Sequence, residues 1–160
     1  MPTLTLDRLD LRILNLLQTD ARMTNVELAE HVGLSPSPCA RRVKLLEQSG
    51  VIRGSATLLD AASVGLPISV FIQVMLERQT EPALQVFEQT VSGYPELMEC
   101  YLMTGDADYL LRVVVPDLDS YQKFLMERLT QIPGVSSIKS SFALRQVQYR
   151  TALPLAVQTL

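Results

Sequence analysis

The residues best equipped to meet a charged partner are Arg41, Arg42 and Lys44, three cations within four positions with no acid among them. They lie in LSPSPCARRVKLLEQSG, residues 34–50, beside Ser35, Ser37 and Gln48. Guanidinium, ammonium, hydroxyl and amide groups are what contacts to phosphates and base edges are made of. Nucleophilic and metal chemistry have far less to work with. Cys39 and Cys100 are too distant in sequence to form a zinc-ligand pair, and any Ser/His/Asp arrangement would rest on the lone His31. No metal, no cofactor and no catalytic residue is expected.

The spacing shows what must position these groups. At 100° per residue, Cys39, Val43 and Leu46 share one helix face, while Ser37, Arg41, Lys44 and Gln48 share the opposite one and Arg42 falls at the edge of the buried stripe. Ser35 suits an N-cap, Pro36 and Pro38 fit a first turn whose N–H groups have no intrahelical partner, and Gly50 ends the helix. Two helices precede it. The first runs from an Asp7 cap through Leu9, Ile13, Leu16 and Leu17; the second opens on a Thr24/Glu27 capping box, buries Val26, Leu28, Ala29 and Val32, and stops at Gly33. His31 lies near its polar side. Two helices joined by a short glycine turn, the second polar and basic outside, describe a helix-turn-helix. Ser37 and Arg41 then meet base edges and Lys44 lies nearer phosphates. Val51 to Leu59 reads as a strand or wing, followed by a hinge near Ala61 to Gly65.

In the second half, residues 68–77 alternate strictly, with Ile68, Val70, Ile72, Val74 and Leu76 on one face and Ser69, Phe71, Gln73, Met75 and Glu77 on the other. A helix over 82–92 carries Ala83, Leu84, Phe87 and Val91, strands follow at 97–104 and 109–115, and Gly105 to Asp108 turns between them. A helix capped by Asp117 buries Leu118, Tyr121, Leu125 and Leu129, and Val135 to Val147 supplies a last strand. The order β-α-β-β-α-β is the ferredoxin-like arrangement, two helices on one face of four strands. Either the Ile/Val row or the Phe71/Met75 row faces the helices. The remaining apolar groups then lack cover, which predicts a homodimer joined sheet to sheet.

The chain has 160 residues, 48% hydrophobic, and a net charge of −3 that is unevenly spread. Residues 1–54 hold seven cations against six acids, and the remainder seven against eleven. The overall charge thus hides a basic helix. No apolar run approaches the roughly 20 residues a membrane helix needs, and Asp7 and Asp10 stand where an export signal would be apolar, so a cytoplasmic location is expected.

These stretches, in order, resemble the Lrp/AsnC (feast/famine) family of transcriptional regulators: LDRLDLRILNLLQTDAR at 6–22, TNVELAEHVGLSPSPCARRV at 24–43, LEQSGVIRG at 46–54, TGDADYLL at 104–111 and PGVSSIKSSFAL at 133–144. The resemblance implies an α+β chain, a winged helix-turn-helix over 1–54, a strand and hinge linker over 55–66, and a RAM/ACT-like effector and oligomerisation domain over 67–160. It implies a sequence-specific regulator of double-stranded operator DNA, whose recognition helix carries over onto Ser35 to Gln48, with Ser35, Ser37, Arg41, Arg42, Lys44 and Gln48 facing DNA. It implies homodimers assembling into higher oligomers, commonly octamers, and an amino-acid effector, such as leucine or methionine, held between dimers. The effector residues carried over are Tyr101, Thr104, Gly105, Asp106 and Asp108, closed by Gly134, Val135 and Ser136 of a neighbouring subunit. A glycine there lets backbone N–H groups approach a carboxylate, and Asp108 could pair with an ammonium. An enzyme on the same fold would want histidine, and the second half has none. A sensor without DNA activity would leave the basic helix face without a use. The tail after Arg150 either docks on a neighbouring subunit or stays partly ordered.

Overall fold

The structure is a computed structural model that describes residues 5–155. It divides into two compact units: a helical one, up to Thr57 and again from Gln148, and a sheet one, Leu58–Val147. The final segment, from Gln148, packs with the helical unit.

The helical unit contains α1 (Arg8–Thr19), α2 (Asn25–Val32) and α3 (Pro36–Gln48). Both expected starts are formed: Asp7 and Asp10 make a reciprocal capping box on α1, and Thr24 and Glu27 make one on α2. Ile13, Leu14, Leu28, Ala29, Val32, Cys39 and Leu46 form the core. Cys39 is a buried packing residue. Val26, expected inside, is 53% exposed, because the buried stripe of α2 runs through Leu28, Ala29 and Val32 instead. Val51 to Leu59 forms no strand. Ile52 donates its N–H to the Leu46 carbonyl (3.0 Å) and packs on the core. Beyond it the segment has no ladder partner among the described residues, and a strand needs one.

The charges at the start of α1 are shared out bond by bond. Asp7 Oδ1 accepts the Asp10 N–H (2.9 Å) and Asp10 Oδ2 accepts the Asp7 N–H (3.0 Å). The other oxygens, Asp7 Oδ2 and Asp10 Oδ1, both accept from Nη1 of Arg42, each at 2.7 Å. Arg42 thus fastens α3 to the first turn of α1, compensating two carboxylates that cap it.

The sheet unit runs β1 (Ile68–Leu76), α4 (Glu81–Ser92), β2 (Leu97–Leu102), β3 (Tyr109–Val115), α5 (Leu118–Glu127), a 3-10 turn at Leu129–Gln131, and β4 (Val135–Phe142). The strands are antiparallel in the order β2-β3-β1-β4, the expected ferredoxin-like sheet. Val70, Ile72, Val74 and Leu76 are buried with Phe87, Val91, Tyr121, Phe124 and Leu129, so the dry row faces the helices. Phe71 and Met75, 39% and 42% exposed, lie on the face without helices. Leu118, expected inside, is exposed, since Tyr121 and Phe124 define the inner side of α5. The last strand stops at Phe142 rather than Val147, where the Ala143 N–H bonds to the Ser69 carbonyl at the start of β1 and the pairing with that strand ends. Ser140, opposite Ile72, pairs with the Tyr121 hydroxyl on the helix side.

Two outcomes follow from these bonds. Arg42→Ala leaves the two carboxylates without their cation and destabilises the chain by about 1–2 kcal/mol in denaturant titration. In a double-mutant cycle with Asp10→Ala the losses are non-additive by about 1 kcal/mol; simple additivity would show that the pair contributes nothing. The Asp10 N–H, and then Arg42, hold the Asp7 carboxyl below its ordinary pKa, while the Ser120 hydroxyl does the same for Asp117. A carboxyl lowered in the folded state adds stability above its unfolded pKa and loses it as pH falls through the folded one. The melting temperature therefore falls as pH drops below about 4, and Asp7→Asn makes that fall shallower.

Candidate nucleic-acid interface and effector site

The placement of α3 begins in the turn before it. Gly33 takes a left-handed conformation (φ 73°, ψ 37°), and the Leu34 N–H returns to the Ala29 carbonyl at 2.9 Å. A side chain there would be strained, which is why glycine makes this turn. Asn25 Nδ2 then donates to the Pro36 carbonyl (2.8 Å), tying the first turn of α3 to the first residue of α2. Arg12 Nη2 donates to the His31 carbonyl (2.8 Å), satisfying a C-terminal carbonyl of α2. These two polar ties were not read from the sequence; an arginine 19 residues from its acceptor leaves no local signature.

On α3 the structure places Ser37, Arg41, Lys44 and Gln48 in solvent, and Ser35 in extended conformation ahead of them with its hydroxyl not used as a cap. Among the described residues neither Arg41 nor Lys44 has an ion-pair partner. Arg42 is different: it is half-buried, and bonds to Asp10 and Asp7 raise its pKa further. Its guanidinium is committed inside the unit, so the six residues expected to face DNA separate into five exposed ones and one brace. The signal available beforehand was its place at the edge of the buried stripe.

The other candidate site gathers around the end of β1. The Met103 N–H bonds to the Asp108 carbonyl (2.8 Å), closing a four-residue loop of Thr104, Gly105, Asp106 and Ala107, in which Gly105 has φ 117°. The Asp108 N–H reaches the Val74 carbonyl (3.0 Å), and its Oδ2 accepts from the Leu76 N–H (2.7 Å) and from Gln79 Nε2 (3.3 Å). Across β1, the Glu77 N–H bonds to the Gly134 carbonyl (2.8 Å), Ser136 Oγ donates to the Met75 carbonyl (3.1 Å), and Val135 sits opposite Leu76 at a register shift. Both candidate segments thus flank the same strand end within one chain. Thr104, Gly105, Asp106 and Ser136 are exposed, and Asp108, Gly134 and Val135 half-buried.

Asp108 is accordingly first an anchor of its own loop, with one carboxylate oxygen used on the protein. Gln79, which shares that oxygen, was missed because nothing in its spacing distinguishes it from the polar residues around it. Tyr101 lies opposite Leu110 on the face without helices, where its hydroxyl donates to Glu99 (3.1 Å) and Glu99 pairs with Arg112 (2.8 Å). The hydrogen bond from its hydroxyl to Glu99 raises the Tyr101 pKa. Although Cys100 is exposed, desolvation by the groups around it, with Glu88 nearby, pushes its thiol up to about 11, far from a reactive thiolate. Among the described residues no cluster of three His, Cys, Asp or Glu could hold a metal, and no helix is long and apolar enough to cross a membrane.

Comparison with known proteins divides the chain at the same linker, with the second match running on through the segment that packs with the helical unit. Residues 6–53 match a winged helix-turn-helix DNA-binding model and residues 69–153 match the Lrp/AsnC ligand binding domain. The chain is 50% identical over 150 residues to the Bkd operon transcriptional regulator of Pseudomonas aeruginosa, covering 94% of this chain and 98% of that one. It is 40% identical to the leucine-responsive regulatory protein of Escherichia coli, over 95% and 93% of the two chains. A transcriptional regulator of Neisseria meningitidis, solved as its complex with L-Met, superimposes with a TM-score of 0.87 at 42% identity, over 94% of this chain and 97% of that one. AsnC of Escherichia coli superimposes with a TM-score of 0.84 at 26% identity, over 92% and 98%. With a DNA-binding helical unit and a ligand-binding sheet unit matched along nearly its whole length, the chain belongs to the Lrp/AsnC family of transcriptional regulators.

Proposed function

We propose that this regulator reads operator DNA with the exposed face of α3. Ser37 and Arg41 meet base edges in the major groove, while Ser35, Lys44 and Gln48 contact the sugar-phosphate backbone; Arg42 holds the helix in place from behind. The observation that carries this reading is the outward row Ser37, Arg41, Lys44 and Gln48, whose two cations find no ion-pair partner among the described residues. Cations left unpaired on a fixed helix face are available for phosphate and guanine.

The sheet unit, in this reading, pairs two copies through the face carrying Phe71 and Met75 and assembles further, to an octamer. Dimers suit DNA recognition because two half-sites about one helical turn apart engage two copies of α3 at once. The effector is an amino acid, with methionine and leucine the first candidates, since the similar Neisseria meningitidis regulator was solved with L-Met and the Escherichia coli relative is named leucine-responsive. It binds where Thr104 to Asp108 and Gly134 to Ser136 flank the end of β1, with Tyr101 nearby, and the neighbouring dimer completes the enclosure. The protein acts in the cytoplasm. An effector needs a preference of only about 1–3 kcal/mol between assembly states to change operator occupancy.

Arg41→Ala is expected to lose about 1–3 kcal/mol on a selected operator and much less on random DNA, whereas Lys44→Ala weakens both and lowers the slope of log K against log salt by about 1. Equal losses for Arg41→Ala on both DNAs would reduce it to a phosphate contact. For the effector site, Asp108→Asn keeps an oxygen for the Leu76 N–H while removing the charge. Thermal-shift titration with L-methionine and L-leucine should show a weakened response and an unchanged melting temperature without ligand. An intact response in both Asp108→Asn and Gly105→Val would place the effector elsewhere.

A further inference from the structure

The C-terminal segment returns to the helical unit and is held there by a specific seat. Gln18, in the last turn of α1, uses both ends of its side-chain amide on one residue: Oε1 accepts the Leu153 N–H (2.6 Å) and Nε2 donates to the Leu153 carbonyl (3.2 Å). That carbonyl also accepts the Leu155 N–H at 2.9 Å, closing a tight turn around Pro154. Proline sets the φ such a turn requires and has no N–H to leave unpaired. Leu155 then packs against the core of the unit. Unlike the stretch before it, where Leu144 and Val147 are 99% and 85% exposed, this turn has both polar and apolar partners.

The chain therefore joins the two units twice, once through the linker after Ile52 and once through residues 144–152. We propose that the seat on Gln18 makes the second connection a working tether, which restricts how the helix-turn-helix unit ranges on its linker and so fixes the half-site spacing the regulator accepts. A unit on one flexible linker can reach half-sites at many spacings and loses that freedom only on binding. A second short connection removes much of it beforehand, favouring one spacing and rejecting others. Nine residues, 144–152, separate Ala143, the last to bond to the sheet, from Leu153, a contour of at most about 35 Å. The seat lies on α1 and uses none of the exposed α3 side chains, so it acts on where the reader can go and not on what it reads. This inference rests on the paired half-site reading above.

The test compares the full chain with Gln18→Ala and with a chain ending at Arg150. Each is used to select bound duplexes from a random pool, and hydrogen exchange is followed across residues 148–155 without DNA. The wild-type chain should enrich paired half-sites at one dominant spacing and protect the Leu153 amide. Both variants should enrich the same half-site with a broad range of spacings, bind the wild-type paired site about 10-fold more weakly, and bind an isolated half-site within about twofold. An unchanged single spacing in the variants would overturn the tether, as would equal losses on isolated and paired half-sites, or free-chain exchange of the wild-type segment. A wild-type chain that enriches no motif would instead remove the DNA reading on which it rests.

Discussion

The two-residue alternation of β1 is the constraint from which the sheet unit takes its form. Val70, Ile72, Val74 and Leu76 pack under both helices, and Phe71 and Met75 stand on the other face, so a slip of one residue would exchange the two sets and expose the core. The strand is also bonded on both sides, to β3 and to β4. Its last residues, with Glu77 just beyond them, supply the carbonyls and N–H groups that Asp108, Gly134 and Ser136 use. Packing, the uncovered face and the loops proposed to hold the effector are therefore consequences of one strand's register, and a ligand that moved either loop would act on that strand.

The helical unit solves a different problem. A unit this small has little core to fix the angle of α3, and polar ties do that work at three points: Asn25 on Pro36, Arg12 on the His31 carbonyl, and Arg42 on Asp7 and Asp10. The third also shows how one basic cluster divides its labour. Arg41 and Arg42 are adjacent and chemically identical, yet the 100° between them turns one to solvent and the other to two carboxylates. A count of positive charge on α3 overstates what DNA can meet by one.

Much of this was legible in the sequence because its causes are local. The capping boxes of Asp7 and Thr24, the Gly33 turn, the prolines opening α3 and the alternation of β1 each depend on residues within a few positions of one another, and the α+β order follows from them. What stayed hidden depends on pairings across the chain. The carboxylates that claim Arg42 are 32 and 35 residues away, and the Gln18 seat for Leu153 spans 135. Asp108 could be read as free for a ligand only because its bonds to Leu76 and Gln79 come from another strand and the loop after it. The strand expected over Val51 to Leu59 failed for the same reason: pairing requires a second strand, and no described residue provides one.

The central claim is that the outward face of α3 enters the major groove of paired half-sites. The most direct measurement is methylation interference on a duplex selected by the full-length protein, since dimethyl sulfate marks guanine N7 in the major groove and adenine N3 in the minor groove. Interference at guanine N7 in two patches about one helical turn apart, with a guanine lost from each patch in Arg41→Ala, is the result expected. Interference confined to adenine N3, or a guanine pattern unchanged by Arg41→Ala, would contradict it.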